Sequence, residues 1–341
     1  MEAMSLKKRW ETLKAENPRL RIRNAADQLG VSEAELLVTD LGNGVTRLQD
    51  NFADVLLEVE KLGKVMGLTR NEECVHERKG VYLNGDFSGS HAQLFVGEDI
   101  DMRIFLSAWA FGFAVEDGDR KSLQFFGKDG EAIHKIYLTR DSNPEAFEAL
   151  VEKYRSEDQH SALEITEIPA AGPEKADSEI DVKGFQQAWL DLQDTHDYFG
   201  LLRKYGVSRT QAMRLAPDTY HARKIGNEKV ADLLEKATKS DFPIMVFVGN
   251  RGNIQIHTGK VSRLLWHEKW INIMDPDFNL HLNTTGIHET WVVRKPTADG
   301  VVTAVEAFNK KGEMIVQFFG KRKPGLPELP EWQELVRSLE V

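Results

Sequence analysis

Ser122-Leu-Gln-Phe-Phe-Gly-Lys-Asp-Gly-Glu131 returns in the second half of the chain as Thr303-Ala-Val-Glu-Ala-Phe-Asn-Lys-Lys-Gly-Glu313, with one residue of slack. Both read as an apolar strand running into a Lys-and-Gly turn that ends on a glutamate. The likeness extends outward from this run. Trp10-x-x-Leu13 opens the first half and Trp189-x-x-Leu192 the second, and Leu29-Gly30-Val31-Ser32 matches Tyr205-Gly206-Val207-Ser208. Each half closes on a short helical stretch, 143–154 and 329–339. One repeat, taken twice at this spacing, is a duplicated domain rather than a solenoid.

Within each half, helices come first and strands follow. Residues 51–62 place Phe52, Val55, Leu56, Val59 and Leu62 at helical spacing, and Val230, Leu233, Leu234 and Ala237 repeat the pattern. Segments 244–248, 254–257 and 304–308 alternate or run apolar between Gly-Asn and Lys-Gly turns, so they read as hairpin-linked strands of a mainly antiparallel sheet. The class is α+β, present as a tandem duplication. A polar stretch at 156–181, with Pro169, Ala170, Ala171, Gly172 and Pro173, reads as a linker. The expected division is residues 1–160, a linker at 161–181, and a second repeat at 182–341.

The chain has 341 residues, 41% of them hydrophobic, which is enough for two cores. No stretch approaches the roughly 18–20 apolar residues of a membrane span. Met1 to Trp10 is charged and lacks the apolar core of a signal peptide. A single cysteine, Cys74, excludes an internal disulfide framework and a multi-cysteine metal site. The expected location is therefore cytoplasmic. A net charge of −10 argues against broad binding to nucleic acid or to anionic membranes. The corner Ala25 to Leu36 resembles a helix-turn-helix, but its second helix opens Glu33-Ala34-Glu35, which repels phosphate. It reads instead as a helical corner with a Ser32-x-x-Glu35 capping box.

A duplicated scaffold can be compared with itself, and three divergences stand out. The stretch 185–205 carries Phe185, Trp189, Leu192, His196, Phe199 and Leu202 at spacings of three and four, placing His196 on an apolar helical stripe. At the matched position the first copy has Asn17, followed by the helix-ending Pro18. Such a histidine is either a satisfied core residue or a ligand. For haem, which needs an imidazole for its iron and apolar neighbours for its plate, His196 supplies both. Asp194, Thr195 and Asp197 are near enough to orient the ring. The second divergence is Arg209 in the capping box Ser208–Gln211, where the first copy has Glu33; a helix start with an arginine suits a carboxylate, or is simply a surface residue. The third is Arg103 in Asp101-Met-Arg-Ile-Phe105, matched by Asn279-Leu-His-Leu-Asn283; it is either a structural ion pair or poised for a ligand. Further basic positions lie in Arg294-Lys295-Pro296 and in Gln317-Phe-Phe-Gly-Lys321-Arg322-Lys323, and with Arg209 they suit two propionates.

The motifs Asp194-Thr-His196-Asp-Tyr-Phe199, Lys204-Tyr-Gly-Val-Ser-Arg209, Pro243-Ile-Met-Val-Phe-Val-Gly-Asn-Arg251, Ile254-Gln-Ile-His-Thr-Gly259, Trp291-Val-Val-Arg-Lys-Pro296 and Gln317-Phe-Phe-Gly320 occur in this order. In this the chain resembles the HemS/ChuS/PhuS family of cytoplasmic haem-utilisation proteins, the hemin-degrading factors. The resemblance implies two large antiparallel sheets with helices and a haem cleft between the halves, holding one haem b per chain. It implies His196 as proximal iron ligand and Arg103 as distal group, both then catalytic, with Phe105 packing nearby. Arg209, Lys295, Gln317 and Arg322 would meet propionates, and Phe247 would form an apolar wall. Where some members have extra histidines, this chain has Asp197, Tyr198 and Phe199, which argues against hand-over between neighbouring histidines.

The resemblance implies either haem degradation that frees iron or a carrier that passes haem from an ABC importer to another protein. A binder of another flat apolar anion would leave the imidazole unexplained. No Gly-rich dinucleotide fingerprint follows a strand, so electrons for degradation would come from an external donor such as a separate reductase.

Overall fold

The computed structural model describes residues 5–169, 172–322 and 325–341. It divides into two compact units. The first comprises Met1–Arg70, Glu77–Pro169 and Asn250–Gln255, and the second Asn71–His76, Ala170–Gly249 and Ile256–Val341.

The first unit opens with α1 (Leu6–Glu16), α2 (Ile22–Leu29) and α3 (Glu33–Leu37), then β1 (Val45–Arg47) and α4 (Phe52–Leu57). Strands β2 (Gly63–Arg70), β3 (Cys74–Gly80), β4 (Gly85–Asp86), β5 (Gln93–Val96), β6 (Asp101–Ile104), β7 (Trp109–Asp117), β8 (Arg120–Gly127) and β9 (Ala132–Ser142) follow, closed by α5 (Pro144–Tyr154). The second copy repeats the pattern: α6 (Val182–Leu190), α7 (Asp197–Tyr205), α8 (Arg209–Arg214), β10 (Ala222–Ile225) and α9 (Lys229–Thr238). It continues with β11 (Ile244–Gly249), β12 (Asn253–Gly259), β13 (Leu264–His267), β14 (Trp270–Met274), β15 (Phe278–Asn283), β16 (Glu289–Thr297), β17 (Gly300–Phe308) and β18 (Met314–Gly320), closed by α10 (Pro330–Arg337).

The two strand orders are the same. The first unit runs β1-β7-β8-β9-β2 and the second β10-β16-β17-β18-β11, antiparallel throughout. Each unit adds a three-stranded meander, β4-β5-β6 or β13-β14-β15. The duplicated α+β class read from the repeat is therefore present.

Both faces of the second sheet are buried, which is why Val301 to Phe308 is nearly all apolar instead of alternating. One face turns Val292, Val305, Ala307, Val316 and Phe318 toward Leu233 and Leu234 of α9 and Trp332 and Val336 of α10. The other turns Trp291, Val293 and Phe308 toward Phe185 and Trp189 of α6, Tyr198 and Leu202 of α7 and Met213 of α8. The opening tryptophans Trp10 and Trp189 are buried anchors in both copies. Gly30 and Gly206 end α2 and α7 in the left-handed conformation, at φ 69° and 65°, which favours glycine.

Several described residues of the stretch 156–181 are hydrogen-bonded to the repeats beside them. Ser161 and Asp158 bond Arg47, and the backbone N–H of Thr166 donates to Lys128. Glu174 accepts from Ser208, Thr210 and Arg214. Ala170 and Ala171 lie outside the described residues. Among the described residues no helix is long and apolar enough to cross a membrane.

Candidate functional site

The helix expected over 185–205 is two helices. α6 ends at Leu190, and His196 is the capping residue of α7. The break is local chemistry. The Asp194 carboxylate accepts from the His196 backbone N–H at 2.9 Å, and such Asx contacts compete with helical bonding. The consequence reverses the expected burial: Phe185, Trp189, Leu192 and Leu202 are buried, but the His196 side chain is 83% exposed and Phe199 is 54% exposed.

Asp194 is the orienting partner that proximity left open. Its Oδ1 lies 2.6 Å from His196 Nδ1. The His196 backbone N–H, then the His196 ring and the charge of Arg322, hold the Asp194 carboxyl below its ordinary pKa. An ionised acceptor at Nδ1 assigns the proton to that nitrogen and leaves the Nε2 lone pair outward. Arg322, half-buried, thus acts in the neighbourhood of the exposed imidazole.

Arg209, Lys295 and Gln317 do come together, but on a group that pattern reading did not single out. Glu306 in β17 is completely buried. Arg209 forks onto it, Nε to Oε2 at 3.0 Å and a terminal nitrogen to Oε1 at 2.7 Å. Lys295 donates to Oε1 at 3.2 Å and Gln317 at 3.0 Å. Burial alone would raise the Glu306 pKa, but Arg209 and Lys295 outweigh it and hold the carboxyl at about 2. Burial pushes Lys295 down to about 8, with Glu306 opposing and Arg209 adding to the fall. The available signal for Glu306 was a lone charge between Val305 and Ala307 in an apolar strand. Its alternation phase is that of Trp291, its cross-strand partner.

The register makes one row of Trp291, Glu306, Gln317 and Phe247 across four strands. Phe247 packs its ring 4.9 Å from that of Phe319. Arg209 lies over two rings of α7, 5.5 Å from Tyr198 and 5.3 Å from Phe199, and Lys295 Nζ is 4.2 Å from the Tyr198 ring. Ser208 caps α8 by accepting from the Gln211 N–H, but the expected box is only half formed: the Gln211 amide donates to Lys175 and Asp177 instead. The first copy's box, Ser32 with Glu35, is complete.

Arg294 does not join Lys295. It points to the opposite face and forks onto Glu340 at 3.0 and 2.7 Å, because neighbours in a strand alternate sides. Lys321 is exposed, and Lys323 lies outside the described residues. In the first unit Arg103 donates to the Asp101 carboxylate and, at 3.2 Å, to the Met102 carbonyl, so its ion-pair reading is satisfied in place. Phe105 is half-buried, its N–H donating to Gly252 at 2.9 Å.

The second unit thus presents an oriented imidazole beside an exposed aromatic ring and a buried cationic cluster. Comparison with known proteins follows the same line. Hemin transport protein HmuS of Yersinia pestis is 36% identical over 339 residues, spanning 98% of this chain and 97% of that protein. The structure of holo-PhuS, a heme-binding protein from Pseudomonas aeruginosa, matches with a TM-score of 0.95 at 45% identity, covering 98% of each chain. That of the heme degrading enzyme ChuS of Escherichia coli O157:H7 matches with a TM-score of 0.91 at 34% identity, covering 98% of each. The haemin-degrading HemS.ChuX domain matches twice, over residues 30–154 and 206–339, and with relatives alike over nearly its whole length the chain belongs to the HemS/ChuS/PhuS family.

Proposed function

We propose that this chain binds one haem b through His196 Nε2 and serves cytoplasmic haem use. The observation that carries the reading is the Asp194–His196 pair. A carboxylate on Nδ1 fixes the tautomer and the ring's orientation, and a metal-bound imidazole wants such a partner. The side chain is exposed, so its outward nitrogen is open to a ligand that brings the remaining donors itself. Phe199 and Phe247 offer apolar surface for a flat macrocycle, while Arg209, Lys295, Gln317 and Arg322 supply charge and hydrogen bonds for propionates.

Degradation of the bound haem is the proposed activity, with His196 and Arg103 as the catalytic pair. It draws on the likeness to ChuS. Bound haem would supply an iron centre for ring opening; His196 would hold that iron, and Arg103, paired with Asp101, would be the hydrogen-bond donor for the reaction. Electrons come from an external donor such as a reductase. A carrier that accepts haem from an ABC importer is the second reading, favoured by the exposure of His196, which suits reversible ligation, and by the likeness to HmuS.

Absorption spectroscopy of His196→Ala tests the binding reading. The variant should lose the Soret signature of histidine-ligated haem, and an unchanged spectrum would sink the assignment. Incubating the haem complex with reductant, with and without air, separates the two fates. Linear tetrapyrrole and free iron mark degradation, and intact haem in every condition marks a carrier.

A further inference from the structure

Three of the four donors that the haem reading assigns to propionates, Arg209, Lys295 and Gln317, already hold a carboxylate, that of Glu306. Two features show that this cluster is not complete. Arg209 and Lys295 against Glu306 leave one positive charge over, and a buried excess charge is costly without a counter-ion. Tyr198 is 1% exposed, yet its hydroxyl finds no hydrogen-bond partner among the described residues, whereas buried phenols usually find one. Its ring lies against both Lys295 and Arg209. An anion arriving here would meet a free charge and an unused donor. Arg209 also reaches outward, since its guanidinium covers the exposed ring of Phe199, three residues from His196.

We propose that Glu306 is an internal carboxylate that competes with a haem propionate for Arg209, so that binding exchanges one carboxylate for another. The inference rests on the haem reading above. The Arg209 fork serves Glu306 with two nitrogens, and an incoming carboxylate can have that geometry only by displacing it. Lys295 and Gln317, each with N–H donors beyond the one spent on Glu306, keep its charge satisfied during the exchange. Glu306 is thus a positioning residue that holds Arg209 in place when no ligand is bound and weakens the grip on an acidic ligand when one is. The first copy carries neutral Gln124 at the matched position, so the device belongs to the second copy alone.

Iron-free protoporphyrin IX and its dimethyl ester test this on the full chain by fluorescence titration. Neither has an iron bond, so the result does not pass through His196, whose role the Soret band reports separately. Glu306→Gln should bind the diacid about tenfold tighter than the parent, the scale of one recovered charged pairing, and the diester unchanged. The gain should vanish in an Arg209→Gln background, as a double-mutant cycle reads it. Glu306→Asp keeps the charge on a shorter arm, loosens the fork, and should fall between; it also serves if the Gln variant folds poorly. Equal or weaker diacid binding by both variants, an equal gain with the ester, or no diacid binding by the parent each overturns the proposal.

Discussion

From matched helix positions, the two copies tie helical corner to sheet with opposite signs and to neighbouring strands. In the first, Glu33 at the start of α3 pairs with Lys135 of β9, and the neighbouring strand offers Gln124. In the second, Arg209 at the start of α8 pairs with Glu306 of β17, and the neighbouring strand offers Gln317. Acid and base have changed places between helix and sheet. The fold asks for a polar tie between helical corner and sheet and is indifferent to its direction. Function is not indifferent: a helix start carrying a carboxylate repels an anion, and one carrying a guanidinium beside a second cation attracts it. On the haem reading proposed above, duplication leaves one copy to take a ligand while the other keeps the tie as structure.

The largest effect expected from breaking this comparison is on stability. Burial works against the Lys135 charge, yet Glu33 outweighs it and holds the ammonium above its ordinary pKa. Glu33→Gln strands that charge and should cost about 3–5 kcal/mol in urea unfolding of the full chain. Adding Lys135→Met should restore most of the loss, since a buried pair replaced by apolar groups is often neutral. A cost under about 1 kcal/mol for Glu33→Gln would mean that the tie is dispensable and the inversion carries no structural lesson.

Much of this is legible in the sequence alone. The repeat, the two strand-rich halves and the closing helices follow from period and turn chemistry, which act locally. The grouping of Arg209, Lys295 and Gln317 also survives. Their common partner did not emerge, because Glu306 reads as one polar residue in a strand, and only strand register shows what faces it. The break at His196 was missed for a related reason. The three-and-four spacing of 185–205 is real, but three aspartates and a threonine at 191–197 favour caps over helix, and Asp194 uses that preference to turn the imidazole outward. Arg294 and Lys295 looked like one basic patch, yet adjacent strand residues serve opposite faces.

Asp194 sharpens the contrast from the ligand side, since the first copy has Asn17 where the second has its imidazole. Asp194→Asn keeps the shape of the side chain and removes the charge that orients the ring. Haem affinity should fall roughly 10–100-fold, the usual cost of losing the partner of a metal-bound histidine. Stability should stay within about 0.5 kcal/mol, because the pair is largely exposed. The check is haem titration alongside thermal unfolding. Affinity within a factor of about two of the parent would remove Asp194 from the site and leave His196 oriented by its backbone alone.

The smallest expected effect is a pH dependence that only the second copy should show. Lys295 of β16 is faced by Glu306 of β17 and Arg209 of α8, with the Tyr198 ring of α7 and the Gln317 amide of β18 completing its surroundings. Its folded pKa is about 8 against an ordinary value of 10.5, so between those values the unfolded chain binds more protons. The Lys295 contribution to stability should therefore rise with pH across that window, opposed near its top by buried Tyr198, whose phenol burial raises above its ordinary value. Affinity for a porphyrin diacid should move the other way, because losing the Lys295 proton removes the uncompensated positive charge of the cluster. Lys295→Arg keeps its charge throughout and should flatten both slopes. The matched first-copy residue is the exposed Asp117, and buried Lys135 is held charged by Glu33, so the first copy has no counterpart to Lys295; its buried Tyr82, whose phenol burial raises above the ordinary 10.0, acts in the opposite sense only near the top of the window. Diacid affinity of the parent that stays level from about pH 7 to 10 would show that the Lys295 charge does not reach the ligand, leaving Arg209 as the cation that distinguishes the two copies.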